Sequence, residues 1–72
     1  MNKIEELSKK LFVLAKEAMW AGDDLYNNYY QQCAAEGREV EEEYKNEAAE
    51  ALYAASDRLR DAATALEFQL QF

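Results

Sequence analysis

The chain has 72 residues, half of them hydrophobic, and its 15 acidic and eight basic side chains give a formal net charge of −7. A single domain of this size is near the lower limit at which one hydrophobic core stabilises a fold, and the lone cysteine, Cys33, excludes a disulfide within the chain. The sequence contains no histidine, which is the commonest general base and the commonest transition-metal ligand.

The first predicted element is a helix over residues 3–35. Apolar residues recur every three or four positions, and the phase of this pattern is the same on both sides of Gly22. We therefore favour one continuous helix, in which Gly22 lets a neighbouring helix approach closely. The alternative stays open: Gly22 ends the helix and Asp23 caps another, which gives three helices. The apolar positions are Ile4, Leu7, Leu11, Leu14, Ala18, Leu25, Tyr29 and Cys33.

A second helix is predicted over residues 39–70, after a turn at residues 36–38 around Gly37. Folding the chain there gives an all-α antiparallel two-helix hairpin, in which the numbers of paired positions add up to 73 or 74. This register places Leu25 beside Ala48, where a large residue faces a small one, and Gly22 beside Ala51, where two small residues permit a close approach. The predicted seam of the second helix is Val40, Tyr44, Ala48, Ala51, Ala55, Leu59, Ala62, Leu66 and Leu70.

Each predicted helix carries more apolar surface than the other helix can cover. A second apolar stripe lies beside the first on both helices. Two copies of the hairpin can bury these stripes together, so we expect a homodimer that forms a four-helix bundle. The residues of the second stripe are Phe12, Ala15, Met19, Tyr26, Tyr30, Leu52 and Ala63.

Negative charge is concentrated in one half of the predicted hairpin. Residues 17–50 hold ten acids and two bases, a net charge of −8, whereas the other residues hold five acids and six bases, a net charge of +1. Carboxylates repeated along a helix can occupy a protein surface built for nucleic-acid phosphates, and the same charge disfavours direct binding to nucleic acid. The alternative is a solvated helix face that only keeps the protein soluble.

Trp20 and Val13 lie two turns apart on the polar side of the first helix. A tryptophan fringed by acidic and amide side chains has the composition of an interface hot spot. The alternative is that this face packs inside the oligomer. Together with the acidic residues, the candidate partner-binding set is Trp20, Asp23, Asp24, Glu39, Glu42, Glu43, Glu50 and Tyr53.

The sequence shows no arrangement that is typical of catalysis or of a bound cofactor. Glu-x-x-Glu spacings occur, but a helical di-iron site also needs histidine, and Cys33 lies on the predicted core face, where cysteines are usually inert. We expect no metal site and no enzymatic activity. The longest apolar run near the N-terminus, residues 11–15, is too short for a signal peptide or a membrane span, so a soluble cytoplasmic protein is expected.

Two functions follow as hypotheses. The first is a non-enzymatic regulator or inhibitor that occupies a basic, nucleic-acid-binding surface of a partner protein, as small acidic helical proteins of viral origin often do. The second is a homo-oligomeric structural or adaptor bundle whose acidity has no mimicking role. In neither case do we expect direct contact with nucleic acid or with a membrane.

Overall fold

The computed structural model describes residues 2–71, which form two helices, α1 (Lys3–Glu36) and α2 (Glu47–Leu70), and no strand. The helices pack against each other and run in opposite directions, so the predicted antiparallel all-α hairpin is confirmed. The hairpin is about 56 Å long, 20 Å wide and 14 Å thick. Residues 37–46 connect the helices at one end, and the start of α1 and the end of α2 lie at the open end.

α1 runs through Gly22 without a break, which confirms the continuous helix and excludes the three-helix alternative. Its start is capped by the side chain of Asn2, which accepts a hydrogen bond of 2.8 Å from the Ile4 N–H. Its end is Gly37, whose positive φ of 69° lets the N–H groups of residues 37 and 38 bond back to the last carbonyls. Gly37 therefore ends the helix, and Gly22 does not.

α2 begins at Glu47. The sequence had predicted a start near residue 39. The side chain of Asn46 caps this start by accepting a hydrogen bond of 2.9 Å from the Ala49 N–H. An earlier start would place Glu39, Glu42 and Glu43 three and four residues apart on one helix, where like charges repel. The acidic run is therefore a loop, and the predicted row of carboxylates along a helix is wrong for these three residues.

The two helices meet along a seam of small residues. Each helix contributes one small buried residue every seventh position. Two serine hydroxyls cross this seam in opposite directions: Ser8 donates to the carbonyl of Ala63 at 3.0 Å, and Ser56 donates to the carbonyl of Ala15 at 2.7 Å. Such bonds require the two backbones to approach closely, which small side chains permit. We call this set the small-residue seam: Ser8, Ala15, Gly22, Ala49, Ser56 and Ala63.

The register differs from the predicted one. Positions 8 and 63, like positions 15 and 56, add up to 71 rather than to 73 or 74. In α2 the buried residues also lie one position after the predicted ones, a rotation of about 100°. Ala48, Ala51 and Ala62, which were predicted to pack on α1, are exposed. The leucines were predicted to form the contact between the helices. The helices instead pack through alanine, glycine and hydrogen-bonded serine.

Consequently the leucines lie on one flank of the seam. Tyr26 and Tyr53 stack across the other flank with a ring-centroid distance of 6.2 Å, so the leucines of both helices share the opposite side. Two of them are about half exposed, with 49% for Leu7 and 48% for Leu14, and the other leucines on this flank are half-buried. We call this surface the leucine face. It consists of Leu7, Leu11, Leu14, Ala18, Ala21, Leu25, Leu52, Ala55, Leu59, Ala62 and Leu66.

Gly22 is buried beneath the ring of Tyr53, and this contact gives a testable prediction. A Cβ at residue 22 would lie 2.7 Å from Cε1 of Tyr53, which is closer than carbon atoms pack. The Gly22→Ala substitution should therefore displace the ring in the wild-type protein. In a Tyr53→Ala background it should stabilise the fold by about 1 kcal/mol, the ordinary helix-propensity gain.

Chemical denaturation of the four proteins measures this difference. Ala21→Gly, at the exposed neighbouring position, calibrates the propensity term. An equal gain from Gly22→Ala in both backgrounds would show that the ring does not require a glycine.

Candidate functional site

All five tyrosines of the chain gather where the helices meet the connecting loop. Three lie on α1 at positions 26, 29 and 30, one lies in the loop at 44, and one lies on α2 at 53. Each ring is within 6.4 Å of another, measured between centroids. We call this group the tyrosine cluster. Its separate elements come together only in the folded hairpin.

Tyr26 is the centre of the cluster. Its ring is parallel to that of Tyr53, and it meets the ring of Tyr44 edge-on at 5.9 Å. Its hydroxyl donates to a carboxylate oxygen of Glu50 at 2.8 Å and accepts from the N–H of Asn46 at 3.3 Å. Tyr26 of α1 thus contacts both Asn46, which caps α2, and Glu50 in the first turn of α2. These contacts fix where α2 begins.

Tyr29 and Tyr44 hold the loop against α1. Their rings stack with a centroid distance of 3.4 Å and an interplanar angle of 10°. The Tyr29 hydroxyl accepts a hydrogen bond from the N–H of Glu41 at 3.3 Å, and a turn joins the Tyr44 N–H to the Glu41 carbonyl at 3.2 Å. The loop therefore has a defined path that depends on these aromatic contacts.

The loop presents its carboxylates outward. We call residues 37–46 the acidic loop. Val40, 47% exposed, lies among four exposed glutamates that line a shallow depression with it. Arg38 forms an ion pair of 2.6 Å with the carboxylate of Glu36, at the end of α1. The arginine of the loop therefore pairs with a helix residue and not with the glutamates of the loop. The glutamates that surround Val40 are Glu39, Glu41, Glu42 and Glu43.

The eight residues predicted to bind a partner lie in three places. Glu39, Glu42 and Glu43 are on the acidic loop. Asp23, Glu50 and Tyr53 belong to the edge of the tyrosine cluster, where Tyr53 donates to Asp23 at 2.6 Å and Glu50 accepts from Tyr26. Asp23 and Glu50 therefore have structural hydrogen bonds.

Trp20 and Asp24 form the third place, on the outer side of α1. They lie one helical turn apart, and 57% of Trp20 is exposed. Sixteen residues separate Trp20 from the end of α1, or about 24 Å along the helix. Trp20 is thus well removed from the acidic loop.

The tyrosine cluster was not predicted from the sequence. A signal for part of it was present, because Tyr26, Tyr29 and Tyr30 have the three- and four-residue spacing of one helix face. Tyr44 could not be placed, since it was predicted to be helical. Its stacking on Tyr29 depends on the late start of α2.

The cluster raises the pKa of three phenols. The Tyr53 pKa rises to about 12, because its hydroxyl bonds to the Asp23 carboxylate and is partly desolvated. At Tyr26 the Asn46 N–H acts to lower the pKa, but the hydrogen bond to Glu50 and desolvation together raise it. At Tyr29 the Glu41 N–H likewise acts to lower the pKa, and the Cys33 side chain and desolvation raise it overall. All three phenols are protonated at neutral pH, and those of Tyr26 and Tyr53 donate hydrogen bonds to carboxylates.

No protein-family model matches this chain, and no curated protein or solved structure matches it either. Across residues 2–71, no three His, Cys, Asp or Glu side chains are grouped so that they could hold a metal ion. Neither described helix is both long and apolar enough to cross a membrane. The geometry of the hairpin is therefore the basis for any functional proposal.

The raised pKa of Tyr53 predicts a pH dependence. The folded-state pKa of about 12 lies above the ordinary value of 10.0, so the fold favours the protonated phenol. This contribution to stability is complete below pH 10 and is lost as the pH rises through 12. Asp23→Asn keeps a hydrogen-bond acceptor but removes the charge, and it should lower the Tyr53 pKa.

Ultraviolet absorbance of the phenolate measures this titration, and a Tyr53→Phe protein identifies the Tyr53 component. Asp24→Asn is the matched control, because it removes the same charge from the next residue, on the outer side of α1. If Asp23→Asn and Asp24→Asn change the titration equally, the hydrogen bond to Asp23 is not the cause.

Proposed function

We propose that this chain is a non-enzymatic protein-binding protein that presents its acidic loop to a basic, nucleic-acid-binding surface of a partner protein, as a regulator or inhibitor. The observation that carries this proposal is the exposed group of glutamates on a loop that the tyrosine cluster holds in one path. Residues 36–50 contain seven acids and two bases, a net charge of −5 at one end of the hairpin.

Preorganisation is the physical reason why such a loop can compete with nucleic acid. A flexible acidic segment loses conformational freedom when it binds, whereas a loop already held by stacked rings loses less. Lysine and arginine on the partner respond to negative charge and its spacing, whether phosphates or carboxylates provide it. Val40, in the middle of the glutamates, adds an apolar contact that phosphates lack.

The outer side of α1 extends the proposed contact. Trp20 supplies a large exposed aromatic surface, and Asp24 lies one turn nearer the loop. A buried tryptophan is a frequent source of binding energy at protein interfaces, whereas surrounding charges mainly steer the approach. The proposal thus assigns electrostatic steering to the acidic loop and anchoring to Trp20.

We also propose that two copies of the hairpin associate through the leucine face as a four-helix bundle. Exposed leucines on α1 and half-buried leucines on α2 support this step, because surfaces of this kind are usually covered in soluble proteins. A free buried thiol, Cys33, suits the reducing conditions of the cytoplasm, where we place the protein.

The second candidate function is a homo-oligomeric structural or adaptor bundle, which the leucine face favours. In that case the acidic loop serves only solubility, and the dimer itself is the functional unit. The two candidates differ in one measurable property, namely a salt-dependent ligand for the acidic loop.

The test uses a panel of purified, strongly basic nucleic-acid-binding domains as probes. At least one domain should bind the wild-type protein, release it when duplex DNA is added, and bind less tightly as the salt concentration rises. The triple variant Glu39→Gln, Glu42→Gln, Glu43→Gln should weaken binding by about tenfold or more.

A charge-matched triple variant at the open end, Glu5→Gln, Glu6→Gln, Glu67→Gln, is the control, and it should retain most of the affinity. Calorimetry or surface plasmon resonance gives both dissociation constants. Equal losses of affinity in the two triple variants would mean that only net charge matters. Binding that changes neither with salt concentration nor with added DNA would exclude this function.

A further inference from the structure

The leucine face carries a heptad pattern that the hairpin covers only in part. On α1 the positions 7, 11, 14, 18, 21 and 25 alternate steps of four and three residues, and on α2 the positions 52, 55, 59, 62 and 66 alternate steps of three and four. Each position holds leucine or alanine. Such a pattern is typical of a helix that packs lengthwise on another helix. The α1–α2 contact is already made by the small-residue seam, so the leucine face is a second, separate packing surface.

We infer that the leucine face binds a second copy of this chain in the antiparallel orientation, so that the two acidic loops lie at opposite ends of a four-helix bundle. In this arrangement α1 packs on α1 of the second copy, and α2 packs on α2. The twofold axis is perpendicular to the helices. The assembly deepens the proposed function, but its formation does not depend on what the acidic loop binds.

The sizes of the residues on α1 support this orientation. A twofold axis at the level of residue 14 places Leu7 level with Ala21 of the second copy, and it brings Leu11 within one residue of the level of Ala18. Leu14 then meets its own counterpart on the axis. Large residues face small ones on either side of that centre, as close helix packing requires.

The sizes of the residues on α2 independently place the twofold axis at the same height. Leu52 lies opposite Ala62 of the second copy, and Leu59 lies opposite Ala55, when the centre is at residue 57. The serine hydrogen bonds of the hairpin show that residues of α1 and α2 lie at the same height when their numbers add up to 71. Residues 14 and 57 therefore lie at the same height. One axis therefore satisfies the size pattern of both helices.

Charge also favours the antiparallel orientation. Glu36 lies 22 residues from the axis, or about 33 Å, so the two loops are about 65 Å apart in this bundle. A bundle with both loops at the same end would place two segments of net charge −5 side by side. The screening length is about 8 Å at physiological ionic strength, so only the separated arrangement avoids that repulsion.

The available area reaches the lower size limit of a biological interface. The leucine face extends about 27 Å along α1 from Leu7 to Leu25, and the hairpin is 20 Å wide. Two such faces bury roughly 1,100 Å² in total, just above the roughly 1,000 Å² that such an interface needs. The acidic loops extend beyond the covered region at both ends and stay accessible.

The dimer is consequently a bivalent ligand. Two acidic loops about 65 Å apart can engage two basic partner surfaces at once, and a partner with two such surfaces gains avidity from the link.

The first test is a cross-link at the twofold axis. In a Cys33→Ala background, Leu14→Cys should form a disulfide between the two copies under mild oxidation, because residue 14 meets its counterpart on the axis. Val13→Cys, on the outer side of the same helix and 54% exposed, is the matched control and should stay reduced. Light scattering of the Cys33→Ala protein without oxidant should give twice the mass of one chain.

The second test measures the distance between the loops. Spin labels at Lys45→Cys in the same Cys33→Ala background should be separated by about 65 Å or more in pulsed dipolar spectroscopy. If the protein is helical but stays monomeric at high concentration, the proposed association with a second copy is wrong. A dimer with closely spaced labels and no Leu14→Cys cross-link would overturn the antiparallel orientation.

These outcomes are independent of the binding test for the acidic loop. A monomer that still binds basic domains in a salt-dependent way would contradict only the assembly. An antiparallel dimer without any basic ligand would contradict only the proposed function.

Discussion

The structure depends on how closely two helices can approach when only small side chains separate them. Ser8 and Ser56 use this closeness to donate to carbonyls of the facing helix, and both hydroxyls are thereby satisfied in a buried place. A buried hydroxyl without a partner is costly, so a shift of register loses both bonds together. The seam therefore sets the register and pushes every large side chain to one flank or the other.

The two flanks then acquire different roles. On one side, Gly22 leaves space for the ring of Tyr53, whose hydroxyl bonds to Asp23 while its face stacks on Tyr26. The same Tyr26 fixes the start of α2, so the path of the acidic loop follows from packing in the helices. On the other side, the leucines are only partly covered within the chain. A single small-residue seam thus positions both surfaces that we propose to bind other molecules.

Much of this fold follows from periodicity alone. Apolar spacing predicted two helices, the phase across Gly22 predicted their continuity, and Gly37 predicted the end of α1. The start of α2 was not predictable in this way, because it depends on Tyr26, which is distant from Glu47 in sequence, and on the packing of Tyr44 against α1. The register was missed because leucines suggest a core and serines suggest a surface. Here the hydrogen bonds of two serines reverse that expectation, and the partly covered leucines form an outer face.

The most direct measurement of the central claim is the free energy of unfolding of an Ala15→Leu protein. Ala15 is 1% exposed, and its carbonyl accepts the Ser56 bond, so added volume must separate the helices. Ala54→Leu makes the same change at an exposed site of α2. Denaturant titration should show a loss of about 1–3 kcal/mol or more for Ala15→Leu and little change for Ala54→Leu. Equal stability of the two variants would contradict close packing through the small-residue seam.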